Sequence, residues 1–242
     1  MRMQIAQGFH CLTVVTACCG GLLAGAAWAA DEPSTLEEVV VTAQKREQSI
    51  QDVGISMAAV SGQQLANLGI SNTTEITQQV PGLQLTTFSP ALTVFNLRGI
   101  SQNNFQDNLE APVAVYVDGA YVATMNAING QLFDMDRVEV LRGPQGTLFG
   151  RNATGGLIHF LTHRATDKEL NGYLELSGAQ FNTKSAEGAI GGAFNDRLRG
   201  RLAARWEKSD GYMKPGTAFG VPATGGNAGG ANGFAVRGSI QA

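Results

Sequence analysis

Past its first apolar segment the sequence contains no cysteine: Cys11, Cys18 and Cys19 are the only three. A disulfide framework and a cysteine-based metal site are thereby excluded for the rest of the chain. Charge is sparse, with 17 basic residues against 20 acidic ones and a formal net charge of −3, which does not suit a nucleic-acid partner. Proline numbers 7 and aromatic residues make up 7 %, whereas glycine reaches 31. A mean hydropathy of −0.03 is not that of a helical membrane protein. Catalytic groups are missing as well. Asp134 and Asp136 have no nucleophile or base beside them in sequence and read as solvated turn residues. His159 and His163 would stand about 13 Å apart on a strand, too far to share one ion. Residues 146–152 lack the Gly-Lys-Ser/Thr ending of a phosphate loop. No enzyme, cofactor or metal site is expected.

What is present begins with a leader. Met1 to Ala29 has Arg2, a small apolar core from Cys11 to Ala27, and a small-x-small end at Ala27-Trp28-Ala29, as in a cleaved secretory signal peptide. A membrane anchor is the rival reading, but the core is short for a span. A lipoprotein signal ending at Cys18 is a second rival, but the apolar run continues past it. A polar linker with Pro33 follows, and then Glu37, Glu38, Val39, Val40, Val41, Thr42 and Ala43, a β-forming run with a charged tail. No strand next to it in sequence offers a partner, so it is expected as an unpaired ribbon, ready to add to another sheet's edge. An ordinary first strand is the alternative.

The stretch from Asp136 to Thr162 organises the rest: DRVEVLRGPQGTLFGRNATGGLIHFLT. It reads as strand, glycine-rich turn, loop and returning strand. Val138 and Val140 share one face. Pro144 and Gly146 supply turn chemistry, and Leu157 to Thr162 is an apolar run of strand length. This segment closely resembles the plug-domain signature of TonB-dependent outer-membrane receptors. In that signature a strand ends in Val-Glu-Val-Leu-Arg-Gly-Pro, followed by Gly-Thr-Leu-Phe/Tyr-Gly, Asn-Ala-Thr-Gly-Gly and a second strand. The chain departs at the end, where Ile158-His159-Phe160-Leu161-Thr162-His163 replaces the usual Ile-Asn-Ile-x-Thr-Lys. Phe95 to Ile100 resembles a further plug signature.

Several expectations come with the resemblance. Glu37–Ala43 becomes a TonB box, the segment captured by TonB, which works with ExbB and ExbD. The signature residues Arg98, Gly99, Arg142, Gly143, Pro144, Gly146, Gly150, Arg151, Asn152, Gly155 and Gly156 hold the plug or meet the barrel around it. Arg142 and Arg151 in particular pair with acidic residues of the wall. The ligand is a scarce small molecule such as a ferric siderophore, with cobalamin and oligosaccharides also within the family's range. Plug loops at Thr86–Leu92, Ser101–Ala111 and Ala123–Gln131 are candidates to touch it. The location implied is the outer membrane of a Gram-negative bacterium, in contact with its lipid. The alternative is a secreted or periplasmic plug-like ligand-binding module without transport.

The remaining chain reads as an α+β plug domain and then the first antiparallel strands of a transmembrane β-barrel. Boundaries are 1–29 for the signal peptide, 30–43 for linker and box, 44–165 for the plug, and 166–242 for the barrel start. In the plug, strands are expected at Val53–Val60, Leu83–Thr87, Val94–Gly99 and Val113–Val117. Ser61 caps a short helix stopped by Gly69, and a second helix follows Asn72. Asp118-Gly119 makes a hairpin turn, and Leu132–Met135 a helical turn. In the barrel part, strands are expected at Asn171–Ala179, Ser185–Phe194, Arg197–Glu207 and from Phe234. The third alternates Leu202 and Trp206 with Arg201, Arg205 and Glu207, apolar against charged, as in a wall between lipid and a wet lumen. A plugged barrel takes about 22 strands, so these few are expected to be a truncated beginning.

Overall fold

The computed structural model describes residues 39–89, 92–102, 110–124, 130–165, 169–195, 197–212, 217–218, 221–222 and 229–242. The expected signal peptide, the linker, Glu37 and Glu38 lie outside these residues, as does much of the three candidate ligand loops.

A short hairpin comes first: β1 (Val40–Val41) pairs antiparallel with β2 (Gln48–Ser49). After it come β3 (Met57–Ser61), α1 (Gly62–Asn67), β4 (Leu83–Ser89) and β5 (Leu92–Leu97). Then come β6 (Val113–Val117), β7 (Ala120–Tyr121), β8 (Met135–Arg142), a single helical turn α2 (Gly146–Phe149) and β9 (Gly156–Thr162). Five of these strands form one mixed sheet in the order β3-β8-β9-β6-β7. β8 and β9 are antiparallel across the signature loop, whereas β6 runs parallel to β9. β4 and β5 pair separately.

The central strands are buried on both sides, which is why β9 reads as a nearly continuous apolar run and β8 carries Val138, Val140 and Leu141 on both of its faces. On one face Val60, Val113, Val115, Val138, Val140, Ile158 and Phe160 pack against Leu65 of α1, Ile76, Val80 and the β4–β5 pair. On the other face Ala114, Leu141 and Leu157 pack against Val41, Ala43, Phe149 and Ala153. Each such Val, Leu or Ile contributes about 1.5–3 kcal/mol on burial.

Local chemistry sets the ends. Ser61 Oγ accepts the Gln64 amide at 3.2 Å and opens α1. Gly62 is required there: a Cβ would lie 1.8 Å from the Met135 carbonyl oxygen. The second helix is a 3-10 turn at Glu75–Gln78. Its entry is tied by Asn72 Oδ1, which accepts from Thr74 N, and by Glu75 Oε2, which accepts from Ser71 N. Asp118 and Gly119 both have positive φ, the pairing that a two-residue hairpin needs. Leu132–Met135 is not helical; Asp134 has φ 50° and β8 starts at Met135. The run from Val53 yields a strand only from Met57, preceded by a 3-10 turn at Ile50–Asp52.

A second sheet follows, of four antiparallel strands in sequential order: β10 (Asn171–Ala179), β11 (Thr183–Ala193), β12 (Arg199–Ser209) and β15 (Ala231–Gln241). Two-residue strands β13 (Thr217–Ala218) and β14 (Val221–Pro222) pair in the connection between the last two. Its burial is inverted relative to a soluble sandwich. Leu174, Leu176, Ile190, Leu202, Phe234, Val236 and Ile240 are exposed on one face. The other face turns Arg201 and Arg205 inward, where their side chains are only 10 % and 11 % exposed. Ala189, Ala203 and Ala235 pack there against Phe133 of the first domain.

Candidate functional site

The valine run is not the unpaired ribbon the sequence suggests. Gln44 to Glu47 reverse the chain, Lys45 taking φ 58°, and the next residues return as β2. Gln48 and Ser49 carry no apolar alternation, so nothing in sequence marks them as a partner strand. The Ile50 amide donates to the Val39 carbonyl at 3.0 Å and that of Lys45 to the Thr42 carbonyl at 2.9 Å. Val41 and Ala43 are buried in the second core, while Val40 is 43 % exposed.

One carboxylate ties this hairpin to the five-stranded sheet. Glu139, in the middle of β8, is fully buried. Its Oε1 accepts the Thr42 backbone N–H at 2.8 Å and the Thr42 hydroxyl at 3.2 Å. Arg137 Nε meets the same oxygen at 2.8 Å. A buried carboxylate stays charged at tolerable cost only when paired and hydrogen-bonded in this way.

Glu139 also begins a row that crosses the sheet. It faces Ala59 on β3 and His159 on β9; His159 faces Tyr116 on β6, and Tyr116 faces Tyr121 on β7. The row ends on the signature loop: Tyr116 donates to the Phe149 carbonyl, and Asn152 Nδ2 donates to the Tyr121 hydroxyl at 3.0 Å. His159 sits where the signature usually has Asn. Burial pushes its pKa below the ordinary 6.5 even though Glu139 and Asp118 pull the other way. Nε2 accepts the Gly119 amide at 3.0 Å, which assigns the proton of the neutral ring to Nδ1.

The other signature residues divide into two groups. Arg98 and Arg142 converge on the start of β3: Arg98 donates to Ser56 Oγ at 2.9 Å and Arg142 Nη1 to the Met57 carbonyl at 3.2 Å. Arg142 Nε is buried without a hydrogen-bond partner among the described residues. Burial, and then the Arg98 charge, push the Arg142 pKa down. Gly99 donates to Asn96 Oδ1, and Gly143 to the Gly155 carbonyl. Pro144 leads into α2, which opens at Gly146 and is ended by Gly150. Gly156, at φ 140°, has no room for a side chain; a Cβ would stand 2.4 Å from the Leu141 carbonyl oxygen and 2.5 Å from Leu97 Cδ2. Arg151 lies apart, meeting Glu110 of the same domain at 3.5 Å with its side chain 87 % exposed.

The described ion pairs between the two sheets run with a polarity the sequence did not suggest. Asp134, read there as a solvated turn residue, has its side chain 1 % exposed and is gripped by two arginines of the four-stranded sheet. Arg201 Nε lies 2.8 Å from it and Arg237 Nη2 3.3 Å. Its own amide donates to Glu187 Oε1, whose carboxylate also meets Arg205 at 2.6 Å. The Arg237 guanidinium lies 4.6 Å over the Phe133 ring. Beside this cluster a polar gap of about 220 Å³ separates α1 from Glu175, Ser185 and Glu207. Among the described residues no three carboxylate, histidine or cysteine side chains gather as metal ligands.

A stopper-like domain thus rests against a sheet that turns its charges inward and its apolar side chains outward. The family described as TonB-dependent Receptor Plug Domain matches residues 49–157. The chain belongs to the TonB-dependent receptors. The pesticin receptor of Yersinia enterocolitica is 34 % identical over 185 residues, covering 74 % of this chain and 26 % of that protein. The vitamin B12 transporter BtuB of Vibrio vulnificus is 28 % identical over 76 % of this chain and 30 % of its own length. The crystal structure of the ferric yersiniabactin uptake receptor FyuA from Yersinia pestis superposes with a TM-score of 0.66 at 28 % identity, covering 77 % of this chain and 28 % of that one. The chain therefore spans about a quarter of the length of the curated relatives it matches. These proteins are named as receptors and transporters, not enzymes. In this TonB-dependent receptor chain the five-stranded domain is the plug and the four-stranded sheet is wall, whereas Glu37–Ala43 precedes the matched region.

Proposed function

We propose that this chain serves energised uptake of a scarce small ligand, a ferric siderophore or a molecule of that kind, across the outer membrane of a Gram-negative bacterium. Residues 1–29 act as a cleaved signal peptide, 44–165 as the plug and 166–242 as the start of the wall. Glu37–Ala43 is the TonB box, pulled by TonB with ExbB and ExbD. The observation that carries this reading is the inverted wall: apolar side chains face outward to lipid, and inward arginines grip Asp134 of the plug. Polar rather than apolar attachment suits a stopper that must sit in a wet lumen and still be moved. The names of the relatives, which include a vitamin B12 transporter and a ferric yersiniabactin uptake receptor, support a small ligand carried by such a system. Arg142, with its buried and unmatched Nε, is proposed to meet an acidic residue of the wall, and Arg151 to do the same from its exposed position.

The test is Val40→Pro in the receptor with its wall closed. Proline removes one backbone donor on the edge that does not face β2. Uptake of labelled ligand is expected to fall at least about tenfold, with ligand binding unchanged. Uptake at the wild-type rate would overturn the assignment of the box.

A further inference from the structure

In an antiparallel pair the backbone groups of successive residues point alternately toward the partner and away from it. The Ile50–Val39 hydrogen bond and the Val41–Gln48 register turn Val39 and Val41 toward β2. Val40 and Thr42 therefore present their N–H groups to the opposite edge. Val40 is 43 % exposed as a residue, and the Thr42 N–H ends on Glu139 Oε1 at 2.8 Å. The Thr42 carbonyl is already closed into the turn by Lys45.

We infer that an extended partner strand adds to the Val40–Thr42 edge, and that Glu139 holds the place of that strand's carbonyl oxygen until it arrives. This rests on the box assignment above and adds which edge is taken and what guards it. The chemistry of the exchange is balanced. Docking replaces one acceptor on the Thr42 amide, a carboxylate oxygen, with another, a peptide oxygen. Glu139 is not stranded when the amide leaves, because Arg137 Nε stays 2.8 Å from the same oxygen. The hairpin with β2 can persist, since its hydrogen bonds use the other edge. Arg137 also reaches the Thr42 hydroxyl at 3.4 Å, so the clasp holds both the backbone and the side chain of one residue.

The experiment uses the receptor with its wall closed, in detergent and without uptake ligand, titrated with the soluble periplasmic domain of TonB. Glu139→Ala removes the competing acceptor and is expected to tighten binding about tenfold. Glu139→Gln keeps a weaker, neutral acceptor and is expected to tighten it about threefold. Amide hydrogen exchange at Thr42 should accelerate in both variants, while Val41 and Gln48 stay protected. Wild-type affinity in both variants, with Val40→Pro still abolishing binding, would overturn the placeholder and leave the box intact. Wild-type binding by Val40→Pro would instead overturn the box. If Glu139→Ala loses protection throughout β8 and β9, Glu139→Gln alone decides, and unchanged affinity there overturns the proposal.

Discussion

In the plug, β8 and β9 carry apolar side chains on both faces and both faces are covered, by α1 and the β4–β5 pair on one side and by the β1–β2 hairpin and α2 on the other. In the wall, the Leu, Ile, Val and Phe side chains of β10, β11, β12 and β15 stand exposed, and Arg201 and Arg205 are the ones buried. The backbone alternation is the same. What differs is which face is covered by protein. A sheet between two protein layers holds one polar row here, with Glu139 and Tyr116 hydrogen-bonded and His159 engaged at Nε2, its Nδ1 buried without a partner among the described residues. The four-stranded sheet keeps Arg201, Arg205 and Arg237 off the face that carries its exposed Leu, Ile, Val and Phe side chains, where Lys184 and Lys208 are paired near one end, and Arg201 and Arg237 hold Asp134.

That contrast can be broken most sharply at glycine. Gly156 in the plug is walled in by Leu141 and Leu97, whereas a Cβ on Gly238 in the wall would meet nothing within 4 Å. Gly156→Val is expected to cost more than about 4 kcal/mol and to abolish the plug's cooperative unfolding transition. Gly238→Val should change stability by no more than about 0.5 kcal/mol. Equal shifts of the denaturation midpoint would mean the two sheets are packed alike.

A smaller effect tests the outward face. Leu202→Arg, at a position 54 % exposed, would be harmless on a soluble sheet. In a bilayer it is expected to destabilise by about 2–4 kcal/mol near the midplane. Unfolding measured from phospholipid vesicles decides, and a neutral result would remove lipid from that face.

The smallest effect sharpens the plug side. Because burial holds His159 below its ordinary pKa of 6.5, the unfolded chain takes up more protons than the folded one just below that value. Plug stability should therefore be full above pH 6.5 and decline as the solution is acidified toward pH 5. His159→Asn, which restores the residue usual in the signature, should flatten that part of the profile. An unchanged slope would show that other groups produce it.

Local chemistry was legible in the sequence where it was local. The Ser61 cap, the Asp118-Gly119 turn and the bounds of β10 follow from residues a few positions apart. The signature marked β8, its loop and β9 because their spacing is short and ordered. The polar contacts were not legible, since their partners lie far along the chain: Thr42 from Glu139, Asp134 from Arg201 and Arg237. A charged residue inside a run of valines, as at Glu139, was the one available sign that something polar had to be waiting there. α2 was missed because four residues cannot nucleate a helix alone; here Phe149 packs into the core and its carbonyl is held by Tyr116.

Thr42 and Glu139 stand 97 positions apart, so the clasp between them closes only when the two distant stretches are both in place. A chain cut anywhere between them would leave the Thr42 amide and the Glu139 carboxylate each without the other.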